Sequence, residues 1–279
     1  MYNKSMNGNV LKGGIFMNPT KEFRDYMISQ GAALVGIGDL TAVPSSDYPV
    51  GIAVAIPLPK HVIKDLQLAP TREYYKLYTT LNDKLNAIVT AGEKYLTGRG
   101  YQAYAQTTDR ITVDSDNRSP LPHKTVATRA GLGWIGKNCL LVTPQYGSAV
   151  RISSLLTDAP LTCDAPVTRS QCGACHACVR YCPAHALKNT LWRSGMPRED
   201  IVSVSACYKK QREIMRKSTG IDTDLCGKCF AVCTYTKQYL REEGADKILD
   251  YYRASKGAFL CIQKNKRILH YGYIIKQSL

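Results

Sequence analysis

Apolar positions along the chain fall into compact runs separated by longer periodic stretches. Thr20 can cap a short helix with Phe23, Tyr26 and Met27 on its apolar side and Gly31 as its stop. Ala33 to Ile37 and Val50 to Ile56 are apolar runs of strand type, the second closed by Pro57 and Pro59. From Thr71 to Leu96, the residues Leu77, Leu81, Leu85, Ile88 and Tyr95 share one helical stripe, and Gly98 and Gly100 end it. Tyr101 to Gln106 reads as a strand and Pro122 to Ala130 as a helix. Cys139 to Val142 and Ser148 to Leu156 read as strands. Strands alternating with helices predict an α/β layer.

After Asp158 the pattern changes to short loops and clustered cysteines, which places a boundary near Leu161. The expected organisation is a loose arm over 1–16, with Met17 as an alternative start, and an α/β domain over 17–160. A cysteine module follows over 161–240. A basic segment over 241–279 carries Lys264, Lys266, Arg267 and Lys276. The expected class is α+β.

Composition narrows the function. The chain has 279 residues, 44% hydrophobic and 21% charged, enough for two cores and unlike collagen, coiled coil or a disordered chain. No apolar run approaches the ~20 residues of a membrane span. The first residues lack the apolar segment of a signal peptide. The expectation is a soluble, cytoplasmic protein with no membrane partner. Lys+Arg 37 against Asp+Glu 22 gives +15. Two ligated iron–sulfur clusters would lower this to about +11. Such a charge suits an anionic partner (nucleic acid, a phosphorylated ligand or an acidic redox protein) or a well-solvated basic surface.

The 11 cysteines carry the chemistry. In a reducing compartment, clustered cysteines bind metal rather than form disulfides. Cys172, Cys175, Cys178 and Cys182 follow C-x₂-C-x₂-C-x₃-C and precede Pro183, the bacterial ferredoxin run. Cys226, Cys229 and Cys233 form a second set, with Cys207 upstream to complete it. In such runs the fourth cysteine ligates the other cluster. One [4Fe–4S] cluster therefore takes Cys172, Cys175, Cys178 and Cys233, and the other Cys182, Cys207, Cys226 and Cys229. Zinc also accepts four thiolates, but the triple C-x₂-C-x₂-C and the proline argue against it. Cys163 and Cys261 are spare, Cys139 reads as a small buried residue, and His176 and His185 as local hydrogen-bond partners.

Gly131-Leu132-Gly133-Trp134-Ile135-Gly136 matches G-x-G-x-x-G, but a helix precedes it and a strand follows. That context is the reverse of a dinucleotide site. Its glycines either stop a helix and allow close backbone packing, or leave a backbone surface that a large flat cofactor can approach.

The stretch from Ala130 to Asn138, then Leu140-Leu141, Tyr146-Gly147-Ser148, Leu156-Thr157-Asp158 and the two cysteine runs resemble the epoxyqueuosine reductase family. The resemblance spans about Met17 to Leu240. It implies a nitroreductase-like N-terminal α/β domain, a two-cluster ferredoxin-like domain and a base-off cobalamin between them. It also implies reduction of the epoxide of a modified tRNA base. The related reductive dehalogenases share the same cofactor logic. A corrinoid is accordingly expected against Gly131, Gly133, Trp134, Gly136, Lys137, Asn138, Tyr146, Gly147 and Ser148. The family's Asp-Ser-Ala-Pro, two residues, Glu-Arg stretch supplies its proposed proton donor. Matching Asp-Ser to Asp114-Ser115 needs an insertion. Without a gap, the Asp position falls on Asn117 and Glu-Arg on His123-Lys124. The chain ends without the helical-repeat tail of the tRNA-acting members, so a small substrate is expected and tRNA only as a weakly held partner.

A substrate reduced above such a cofactor needs a proton, and Asp114, Asp116, His123 and Lys124 are the candidates. An unperturbed His can donate near neutral pH, whereas an Asp must be buried first. Tyr104 and Tyr146 are candidate aromatic walls. A low-potential ferredoxin or flavodoxin is the expected electron donor. The competing readings are an electron-transfer module serving a partner enzyme and a nucleic-acid binder with structural clusters.

Overall fold

The computed structural model describes residues 18–116 and 118–241. The arm, Met17, Asn117, Cys261 and the basic segment beyond Arg241 lie outside the described residues. Among the described residues no helix is long and apolar enough to cross a membrane.

In chain order the elements are α1 (Pro19–Ser29), β1 (Leu34–Asp39), β2 (Val50–Pro57), α2 (Lys60–Asp65), α3 (Arg72–Thr97), β3 (Ala103–Ala105), α4 (His123–Arg129), β4 (Trp134–Ile135), β5 (Leu141–Val142), β6 (Val150–Thr157), α5 (Ala177–Arg180), α6 (Val204–Thr219), α7 (Lys228–Ala231) and α8 (Thr234–Arg241). The mixture of helix and sheet matches the expected class. The four-stranded sheet has order β1-β2-β6-β3, and every neighbouring pair is antiparallel. Alternation of helices and strands therefore does not produce parallel crossovers here.

The sheet is covered on both faces, which is why β2 is buried throughout. Ile52, Val54 and Ile56 point into a core with Phe23 and Met27 of α1 and Leu81, Leu85 and Ile88 of α3. The alternate positions are small. Side chains added at Gly36 and Gly38 would strike the backbone of Ala130 and Arg129, and one at Gly51 would strike Val126. This small-residue face lets α4 lie close to the sheet, where Val126 and Ala127 pack with Ala53 and Leu156. The position of α4 is thus set by what the strands lack.

Local expectations need some correction. Asn18, not Thr20, caps α1, its side chain accepting from Thr20 N. Cys139 belongs to a turn, not a strand. A 16-residue helix, α6, runs through the cysteine module, ended by the left-handed Gly220. The cysteine region also interleaves with the sheet region. Met215, Phe230 and Tyr239 join the α1/α3 core, while Trp134, Ile135 and Val142 pack with Leu187, Trp192 and Ile201.

Candidate functional site

The glycine stretch builds the centre of the site. Gly131 ends α4 with φ +70. A side chain at Gly133 would overlap the Val142 carbonyl oxygen, and one at Gly147 would overlap the Thr236 backbone. One at Gly136 would meet Asn138 Oδ1 at 2.6 Å. These glycines are filled by protein neighbours, and the expectation that they form an open floor for a flat cofactor is corrected. Their conformation instead closes the β4–β5 hairpin, in which Gly136 N donates to Leu140 O at 2.9 Å.

That turn presents Lys137, Asn138 and Cys139. Lys137 and Asn138 line a small void with Cys172, Cys175, Cys178 and Cys233. Asn138 and Cys139 also line a cavity of about 360 Å³ bordered by Cys182, Cys207, Cys226 and Cys229. Five residues of hairpin turn therefore separate two four-cysteine sets. Asn138 is buried, donates from Nδ2 to Ser148 Oγ at 2.9 Å and accepts from Leu140 N. Ser148 N donates to Thr236 Oγ1 of α8 at 3.1 Å.

In each set, buried cysteines resist ionisation while nothing is bound to their sulfurs. Burial, then the neighbouring Cys233 and Cys172, push Cys178 up to about 12. Burial and its cysteine neighbours likewise raise Cys207 and hold Cys229 well above the usual thiol range. Only Cys175, exposed and supported by backbone and Thr234 hydrogen bonds, is lowered. Polar groups already aim at sulfur: Gln211 Nε2 donates to Cys207 Sγ at 3.0 Å and Ala186 N to Cys182 Sγ at 3.4 Å. Among the described residues, no three His, Cys, Asp or Glu side chains converge on a single-ion point. Cys163 stands apart, raised by burial and by Asp39 and Asp164. His176 Nδ1 lies 3.3 Å from Ala174 O, and His185 holds a left-handed turn with φ 49.

The cavity bordered by Cys182, Cys207, Cys226 and Cys229 lies against β6. Val150, Arg151 and Ile152 form one wall, Tyr74 and Tyr78 of α3 another, and the cysteine module the third. Trp134 is buried edge-on to Tyr235 at 4.9 Å and lines neither space. Tyr146 packs against Tyr239 at 5.1 Å and does not line the cavity. Tyr104 sits near Arg110 instead.

The four proton-donor candidates do not converge. Asp114 is exposed and caps its own loop, accepting from Asp116 N and Arg118 N at 2.9 Å each. Asp116 is exposed, and its carbonyl accepts from Arg198. His123 is held between α4 and β6. Ser154 Oγ donates to Gln106 Oε1, so His123 Nδ1 must donate to Ser154 Oγ at 2.8 Å. Burial, then Arg151, lowers His123 to about 4. It is neutral near pH 7, which corrects the expectation of an imidazolium donor. Lys124 alone of the four reaches the cavity, with Nζ 3.1 Å from Cys139 O and 3.5 Å from Cys139 Sγ.

No family model matches the chain. It is 50% identical over 79 residues to the epoxyqueuosine reductase of Synechococcus sp. (strain CC9605), covering 28% of this chain and 23% of that protein. It is 34% identical over 128 residues to that of Bacillus anthracis, covering 46% and 25%. The chain thus spans about a quarter of the length of the curated relatives it matches. Among solved structures, a B12-dependent reductive dehalogenase superposes with a TM-score of 0.63 at 17% identity, over 90% of this chain and 37% of that one. Over part of its length this chain is similar in sequence to the epoxyqueuosine reductases, and its fold is similar to that of a B12-dependent reductive dehalogenase.

Proposed function

We propose that the chain is a cobalamin-dependent iron–sulfur reductase. In this reading a nitroreductase-like half, to about residue 160, packs on a ferredoxin-like module holding two [4Fe–4S] clusters. The carrying observation is that the eight cysteines fall into two sets of four around two separate spaces, one of which opens on the cavity against the sheet. The cysteine sets fit clusters better than zinc. A single zinc ion needs four sulfurs about 2.3 Å from one centre, and among the described residues no three Cys, His, Asp or Glu side chains converge on such a point. A second observation supports a cluster beside the hairpin. Lys137 is only 5% exposed, lines the void of the first set and has no hydrogen-bond or ion-pair partner among the described residues. A buried ammonium is costly unless paired. A cluster held by four thiolates, carrying net negative charge, provides that pairing.

The second set would place its cluster at the cavity, the first toward the surface, where Cys175 is exposed. When bound, the clusters and corrinoid would supply single electrons to a substrate. Asn138 and Ser148 would orient the groups lining the cavity. Tyr74, Tyr78 and Leu58 would exclude water. Lys124 would hold a proton at Nζ where it meets Cys139 in the cavity wall. A low-potential ferredoxin or flavodoxin would load the clusters.

Another epoxyqueuosine reductase, solved with a modified tRNA stem loop, matches with a TM-score of 0.52 at 19% identity. Together with the basic balance, it supports tRNA as the second candidate substrate beside a small molecule. Anaerobic reconstitution tests the proposal. About eight irons and eight sulfides per chain, with a retained corrinoid spectrum, are expected. One zinc without sulfide, or two clusters with no corrinoid retained, overturns it. Lys124→Gln should keep both cofactors and lose turnover.

A further inference from the structure

A second chamber lies on the far side of Lys124 and Cys139. Its volume is about 650 Å³, within the usual range for small-molecule sites. The loop 42–44, the loop before α4, the outer face of α4 and the segment 192–201 enclose it. Its charge is one-sided. Arg118, Lys124, Arg129 and Arg198 line it, and no Asp or Glu does among the described residues.

The carboxylates that hold these arginines stand behind them. Glu199 pairs with Arg118 at 2.8 Å and with Arg198 at 3.1 Å. Arg129 donates from Nε to Asp39 O at 2.7 Å. Arg198 also donates to Asp116 O, tying the loop before α4 to the cysteine module. These pairings fix the arginines in the chamber wall, and a guanidinium is the side chain best matched to carboxylate and phosphate oxygens. Trp192, Met196 and Ile201 supply an apolar wall, and Ser119 and Ser194 supply hydroxyls.

We infer that this chamber is an anion site for a small molecule with a carboxylate or phosphate head and an apolar body, with Lys124 at its doorway to the cofactor cavity. The inference rests on the proposed cofactor reading, because Lys124 and Cys139 border both spaces. The anion could belong to the substrate or to the phosphodiester of the cofactor's own nucleotide tail.

The test is calorimetric binding of benzoate and phenyl phosphate to protein reconstituted anaerobically with iron and sulfide before any corrinoid is added, with benzyl alcohol as the neutral control. Both anions should bind, weaken with salt and lose about tenfold or more in Arg129→Gln, as removal of a charge-assisted hydrogen bond predicts. Ser194→Phe fills the chamber without removing a side-chain partner of any arginine, and should abolish binding while the thermal unfolding transition is kept. Binding unaltered in both variants, or anions no tighter than benzyl alcohol, overturns the inference. If cobalamin displaces phenyl phosphate and cobinamide, which lacks the nucleotide, does not, the anion is the cofactor's tail. If both leave it bound, the anion is substrate. Iron, sulfide and corrinoid are assayed on the same samples. Anion binding by protein that retains none of the cobalamin supplied afterwards overturns the cofactor reading and leaves the chamber standing.

Discussion

The α-carbon of Gly133 lies against the carbonyl oxygen of Val142 so closely that a methyl group there would overlap it. The contact joins β5 to the residue that leads into β4, at the open end of the hairpin whose turn carries Lys137, Asn138 and Cys139. Gly133→Ala should therefore force the hairpin apart, costing on the order of 3 kcal/mol or more in urea unfolding. Both clusters and any corrinoid should be lost together. A variant of wild-type stability that excludes only corrinoid would restore the reading of Gly133 as cofactor floor.

Cys207 is distinguished from the spare cysteines by its company. It borders the cavity with Cys182, Cys226 and Cys229, whereas Cys163 stands beside Asp39 and Asp164. Cys207→Ser should reduce iron from about eight to about four per chain, and Cys163→Ser should leave it unchanged. Cys178→Ser should remove the other half. Iron and sulfide assays on the three proteins read the outcome.

Lys137 should tune the cluster it faces. A fixed positive charge beside a cluster favours the reduced, more negative state. Lys137→Met should lower the midpoint potential of one cluster in an EPR-monitored titration and leave the other in place, and Lys137→Arg should return it toward the wild-type value. Equal shifts in both clusters would contradict the placement.

His123 makes stability depend on acid. Its folded value, about 4, lies below the ordinary 6.5, so the unfolded chain binds the extra proton between them. Its contribution is fully present above about pH 6.5 and lost as pH falls toward 4, on the order of 3 kcal/mol over that window. His123→Gln should flatten the denaturation midpoint across that range. An unchanged slope would show that the imidazole is solvated.

The readable parts of the chain were those with a local cause. The stripe from Leu81 to Ile88, the run Val50 to Ile56 and the cysteine spacings each declare themselves within a few residues, and α3 and β2 follow within a residue or two. Which of its two possible roles the glycine stretch plays was not readable, because that depends on Val142 and Ala165, which meet it only in the folded chain. For the same reason His123 looked like an acid. Its burial is created by β6, 31 residues away. The anion chamber was hidden because its four cations come from three separated segments.

The interleaving of the two cores has a consequence for maturation. Phe230 and Ala231, beside Cys229, anchor in the sheet's core, while Trp134 and Val142 anchor in the cysteine module's. Neither half can be completed before the other. Iron delivery should therefore act on a nearly finished fold, and its arrival should protect amides as far away as β2 from hydrogen exchange.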